Sequence, residues 1–189
     1  DYPSCYDPSR DVTDQDPTYG LRFAESTFRR AGLEDRWAYY DAHTSRWIGP
    51  CSDRALEICR ASDLLIDVGG LAPMRPWLLE IDARALIDLD PVFTQIRHLT
   101  DPDARERAMQ HTSFFTVGEN VGRGSELPVD GFPWQPTRQP LVLGSWRVTP
   151  PPADAKFTTV MQWDSYPMRE FRGRRYGMKS DSFEPFLEL

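Results

Sequence analysis

The chain has 189 residues, of which 40% are hydrophobic and 12% aromatic, with a formal net charge of -7 and a pI of about 5.0. This composition supports a packed core and excludes wholesale disorder. An acidic chain repels phosphate backbones, so no nucleic-acid partner is expected, and no run approaches the roughly 20 apolar residues of a membrane span.

Residues 1 to 15 are polar, carry Pro3 and Pro8, and read as a surface loop. Asp16-Pro17 predicts a helix start, since Asp accepts hydrogen bonds from free amides and Pro fits the first turn. Leu21, Ala24, Phe28 and Ala31 then recur at helical spacing and predict a buried stripe. Arg29 and Arg30 suit the negative end of that helix, and Gly32 its cap. Trp37 to Tyr40 reads as a short aromatic strand. Ser52 opens a second helix through Ala61, with Ala55, Leu56 and Cys59 turned inward.

Three short apolar runs follow: 64–68, 85–89 and 113–117, closed by Gly69-Gly70, Asp90-Pro91 and Gly118. Such runs predict buried parallel strands. Helices near 91–98 and 101–110 separate the second from the third. This alternation predicts an α/β fold, a Rossmann-like doubly wound parallel sheet whose ligands sit at the carboxyl edge of the strands. Residues 124–155 are rich in proline and read as a folded connector ending in the stiff run Pro150-Pro151-Pro152. A new strand is expected over 157–163. The domains expected are therefore 1–152 and 153–189.

Cys5, Cys51 and Cys59 are an odd number without a CxxC spacing, which points to free thiols in a reducing cytoplasm. The first residue is Asp, and Phe183, Phe186 and Leu187 read as a helix face that stops short. Both ends read as those of a piece of a longer gene product.

The candidate chemistry sits in the loops after the three strands. Gly69 and Gly70 either let amides approach a ligand or close-pack a strand end. Asp88 and Asp90 read either as a metal-binding Asp-x-Asp, since residues two apart in a strand share a face, or, for Asp90, as a cap for the helix begun at Pro91; carboxylates in these loops also suit general-base work. Glu119 and Asn120, bracketed by Gly118 and Gly122, either position a substrate or form a turn. His43, His98 and His111 are too scattered to propose as a metal set. Arg169, Arg172, Arg174 and Arg175 read either as a phosphate contact or as a solvated hairpin.

The segments Leu86-Ile87-Asp88-Leu89-Asp90-Pro91-Val92-Phe93-Thr94-Gln95, Phe115-Thr116-Val117-Gly118-Glu119-Asn120-Val121-Gly122, Pro136-Thr137-Arg138-Gln139-Pro140-Leu141-Val142-Leu143 and Phe157-Thr158-Thr159-Val160-Met161-Gln162-Trp163 resemble, in order, a group of bacterial family 1-type glycosyltransferases. The resemblance also takes in Tyr6-Asp7-Pro8 and Arg36-Trp37-Ala38-Tyr39. It implies the GT-B architecture, two Rossmann-like domains facing across a cleft. The acceptor lies in the first domain and the nucleotide-sugar in the second, of which 153–189 would be only the start. It also implies a mechanism that needs no resident metal or other cofactor, the nucleotide-sugar being a co-substrate. The resemblance does not identify the catalytic base; from their position after the strands Asp88, Asp90 and Glu119 are the candidates, and Gly69, Gly70, Thr94, Gln95 and Asn120 are candidates for substrate contacts. A module of the same shape that binds a sugar or nucleotide without catalysis is the alternative.

Overall fold

In the computed structural model, the described residues are 5–156, 158, 160–165 and 167–186. They divide into two compact units, 1–86 with 107–113 and 87–106 with 114–189.

The first unit opens with two hairpins. Strand β1 (Cys5–Asp7) pairs antiparallel with β2 (Val12–Asp14), and helix α1 (Thr18–Arg30) follows. Strand β3 (Tyr39–Asp41) pairs with β4 (Arg46–Ile48). Both hairpins use one device: the first strand ends on a buried aspartate that holds the turn. Asp7 accepts hydrogen bonds from the Ser9 amide (2.9 Å), the Ser9 hydroxyl (2.6 Å) and Arg10 Nε (2.7 Å). Asp41 accepts them from the His43 amide (3.0 Å) and the Thr44 hydroxyl (2.5 Å). Asp7 is thereby held down to about 2, first by the Ser9 hydroxyl and next by Arg10. Asp41 is lowered chiefly by Thr44. The segment read as a polar loop is thus a hairpin.

Helix α1 begins where Asp16-Pro17 predicts. The Asp16 carboxylate accepts hydrogen bonds from the amide (3.0 Å) and hydroxyl (2.5 Å) of Thr18. Its apolar stripe is only partly covered: Leu21, Ala24 and Phe28 are half-buried and Ala31 is exposed. Phe28 stacks on Trp37, with ring centroids 5.8 Å apart. A short 3-10 turn, Ser52–Arg54, leads into α2 (Ala55–Arg60), which buries Ala55 and half-buries Cys59 but leaves Leu56 exposed.

The central sheet has the order β5-β6-β7-β8 and is parallel throughout: β5 (Leu64–Val68), β6 (Ala83–Asp88), β7 (Ser113–Thr116) and β8 (Gln135–Pro136). Helices α3 (Pro76–Leu79), α4 (Phe93–Thr100) and α5 (Pro102–Met109) lie in the connections. The protein is therefore mixed α/β with a parallel sheet. Strands β6 and β7 carry buried residues, as their short apolar runs require. Strand β5 does not: Leu64, Ile66 and Val68 are exposed, because it is an edge strand with one open face.

In the second unit, Ile96 and Phe114 are buried, and Phe114 stacks on Phe132 with centroids 4.6 Å apart. Strand β8 falls within the proline-rich stretch read as a connector, and pairs Phe115 with Gln135 and Thr116 with Pro136. The four arginines lie on or within a hairpin of β9 (Arg169–Phe171) and β10 (Arg174–Tyr176), as one of the two readings expects. Arg172 (φ 52) and Gly173 (φ 74) make its tight left-handed turn. Of the strand expected over 157–163, Phe157 and Thr159 lie outside the described residues, as does Leu187. Thr158 and residues 160–163 are not in a strand. The three cysteines are free thiols. Among the described residues no helix is long and apolar enough to cross a membrane.

Candidate functional site

The candidate site belongs to the second unit, where β7 and β8 end. Its foundation is a buried polar knot. Asp88, the last residue of β6, is 1% exposed. Its Oδ2 accepts hydrogen bonds from the Thr116 hydroxyl (2.8 Å) and from Gln95 Nε2 (3.0 Å), and its Oδ1 accepts one from the Asp90 amide (2.9 Å). A buried carboxylate is tolerated when its lone pairs are so occupied. Gln95, 0% exposed, also accepts a hydrogen bond from the Val92 amide through Oε1 (2.5 Å). It thereby ties down a β-branched residue at φ 77, a strained conformation at the entry to α4. Thr94 is buried beside it in sequence, and its amide donates to the Asp90 carbonyl (3.0 Å).

Thr116 carries the knot to the surface. Its hydroxyl accepts a hydrogen bond from the Gly118 amide (3.1 Å), and its carbonyl accepts one from the Thr137 amide (2.8 Å). Gly118 has no room for a side chain: a Cβ there would lie 2.6 Å from the Pro91 Cβ. Val121, buried, then folds the loop back, its amide donating to the Gly118 carbonyl (3.1 Å).

On this support stands an open cleft of about 400 Å³ lined by Glu119, Asn120, Arg123, Pro136, Thr137 and Arg138. Arg138 Nε donates to Glu119 Oε1 at 3.0 Å. Among the described residues no acceptor meets the Arg123 guanidinium. The cleft therefore offers one unpaired cation, one ion pair, an amide and a hydroxyl, a set suited to a hydroxylated ligand that carries negative charge.

The structure thus sorts the expected residues into three places. Asp88, Asp90, Thr94 and Gln95 meet at the knot, where Asp88 and Gln95 bind each other and are closed to solvent. Glu119 and Asn120 line the cleft. Gly69 and Gly70 belong to the first unit, where the Gly70 amide donates to Asp67 (3.2 Å) and a Cβ at Gly70 would sit 2.7 Å from Leu86 Cδ1, so close packing accounts for that glycine. Sequence reasoning missed Arg123, Thr137 and Arg138, which are cleft residues only because β8 runs beside β7.

It also missed a buried and a part-buried pair. His98 Nδ1 lies 2.7 Å from Asp130 Oδ2, and Asp130 Oδ1 accepts the Trp134 indole N–H (2.8 Å). His111 Nε2 lies 3.1 Å from Asp67 Oδ2. Among the described residues no three or more His, Cys, Asp or Glu side chains stand where they could hold a metal ion together. No protein-family model, curated protein or solved structure matches the chain.

Proposed function

We propose that this chain is part of a glycosyltransferase that moves a sugar from a nucleotide-sugar donor to a small acceptor in the cytoplasm, with the cleft of Glu119, Asn120, Arg123, Thr137 and Arg138 as its acceptor pocket. The observation that supports this is the cleft's place at the carboxyl ends of β7 and β8, where parallel sheets present their ligands. Glu119 is then the base that takes the proton of the acceptor hydroxyl, because Asp88 is enclosed by three donors. Asn120 and Thr137 orient neighbouring hydroxyls. Arg123 attracts a carboxylate or phosphate on the acceptor. Asp90 is the second candidate base, being exposed at the head of α4.

One observation favours the non-catalytic alternative: Glu119 is already engaged by Arg138. A binding module of GT-B shape would use that pair to hold a ligand rather than to move a proton. Incubating the intact protein with UDP- and GDP-sugars and a panel of hydroxylated carboxylates, with mass-spectrometric detection of products, separates the two. Product that disappears in Glu119→Gln while ligand binding persists supports transfer. Binding without product supports the module. Neither binding nor product sinks both.

A further inference from the structure

We propose that a hollow in the first unit, lined by Tyr40, His43, Trp47, Pro73 and Trp77 among others, is a binding site for the pyranose rings of a carbohydrate. It has a volume of about 410 Å³, within the roughly 300–1,000 Å³ of small-molecule sites. Its wall is an aromatic cluster. Tyr40 and Trp77 meet edge-on at 5.0 Å between centroids, Tyr40 and Trp47 at 5.1 Å, and Trp47 and Trp77 at 5.7 Å. The Arg75 guanidinium lies 5.2 Å over the Tyr40 ring and fixes it. Rings this close leave no space for a cation among all three, so the cluster is a wall and not a cage.

The polar atoms choose the ligand. Among the described residues, no protein group accepts the indole N–H of Trp47 or Trp77, and none hydrogen-bonds the Tyr40 hydroxyl. All three aromatic residues are half-buried, and their polar tips reach solvent, whereas the Trp37 indole nitrogen is buried without a partner. A flat hydrocarbon would cover the rings and leave those donors stranded. A pyranose has an apolar C–H face, drawn to the negative face of an aromatic ring, and a rim of hydroxyls that can accept from indole and phenol. This inference rests on the first unit alone and is independent of the transfer chemistry proposed above.

The test is titration of the intact protein with cellotetraose, maltotetraose and xylotetraose, followed by two-dimensional NMR of the indole N–H signals. At least one oligosaccharide should shift the Trp47 and Trp77 signals saturably and leave that of Trp134 in place. Trp47→Phe and Trp77→Phe, which keep a ring and remove the donor, should each weaken binding by about tenfold, a loss on the scale of one hydrogen bond. Three results overturn the proposal: neither indole signal moves with any of the three sugars; both Phe variants bind as tightly as the unsubstituted chain; or 4-nitrophenol binds while no oligosaccharide does.

Discussion

The hydroxyl of Thr116 donates to the carboxylate of Asp88 across 2.8 Å, joining the last residues of β7 and β6 inside the protein. Thr116→Val keeps the shape and removes the donor, leaving the buried Asp88 side chain with one partner fewer. The expected loss is about 1–3 kcal/mol in urea unfolding, with little change in the slope of the transition. An unchanged midpoint would show that water replaces the hydroxyl.

Gly118 sets the approach of its loop to Pro91. Gly118→Ala places a methyl 2.6 Å from the Pro91 Cβ and 2.9 Å from Val121 Cγ2. Neither neighbour is the tip of a flexible chain, so the loop must shift, at a cost of about 1–3 kcal/mol. The same variant should reduce ligand binding in the cleft, since Glu119 and Asn120 follow directly. Full stability and full binding together would disprove the packing argument.

The first hairpin should be acid-sensitive. Asp7 is held at about 2 when folded, below the ordinary carboxylate range, by Ser9 and then Arg10. A depressed carboxylate stabilises the fold above its unfolded pKa and loses that contribution as pH falls through the folded one. The window is therefore about pH 4 down to about pH 2. The carboxyl carbon shift of Asp7 should titrate at its lower end, and Ser9→Ala, which deletes the largest cause, should move the midpoint upward. A midpoint in the ordinary range in the unsubstituted chain would count against the geometry.

The Glu119–Arg138 pair is solvent-exposed at both ends, with side chains 60% and 87% accessible. Such pairs contribute little to stability, so Glu119→Gln should leave the melting temperature within about a degree of the original. Transfer should nonetheless fall, by about 100-fold if Glu119 is the base. A variant that melts early would mark the residue as structural.

The sheet was legible where burial alone writes the pattern. Strands β6 and β7 carry short apolar runs closed by Asp90-Pro91 and Gly118, and helices α1, α4 and α5 lie close to where capping and spacing put them. The aromatic strand read over Trp37 to Tyr40 overlaps β3, but the two early hairpins as such were hidden because each strand has three residues and their turns place Asp11 (φ 51) and Ser45 (φ 55), not glycine, in the left-handed region. Local hydrogen bonds to Asp7 and Asp41 do that work, and composition does not reveal them. Glu119 and Asn120 were findable as a loop after a strand. Arg123 and Arg138 were not, because β8 is two residues long and one of them is proline. Pairs such as His98 with Asp130, 32 positions apart, are made by packing and leave no periodic trace.

Among the described residues no strand pairs with one edge of β5, which has an open apolar face of Leu64, Ile66 and Val68, exposed by 52%, 54% and 60%. An edge of that kind is a template on which further strands can be laid, and nothing charged interrupts the face. In concentrated solution this is where aggregation of the chain would nucleate. Ile66→Lys, a single gatekeeper charge set in the middle of that face, should raise the concentration at which light scattering begins, while leaving the cleft at the other end of the strand order untouched.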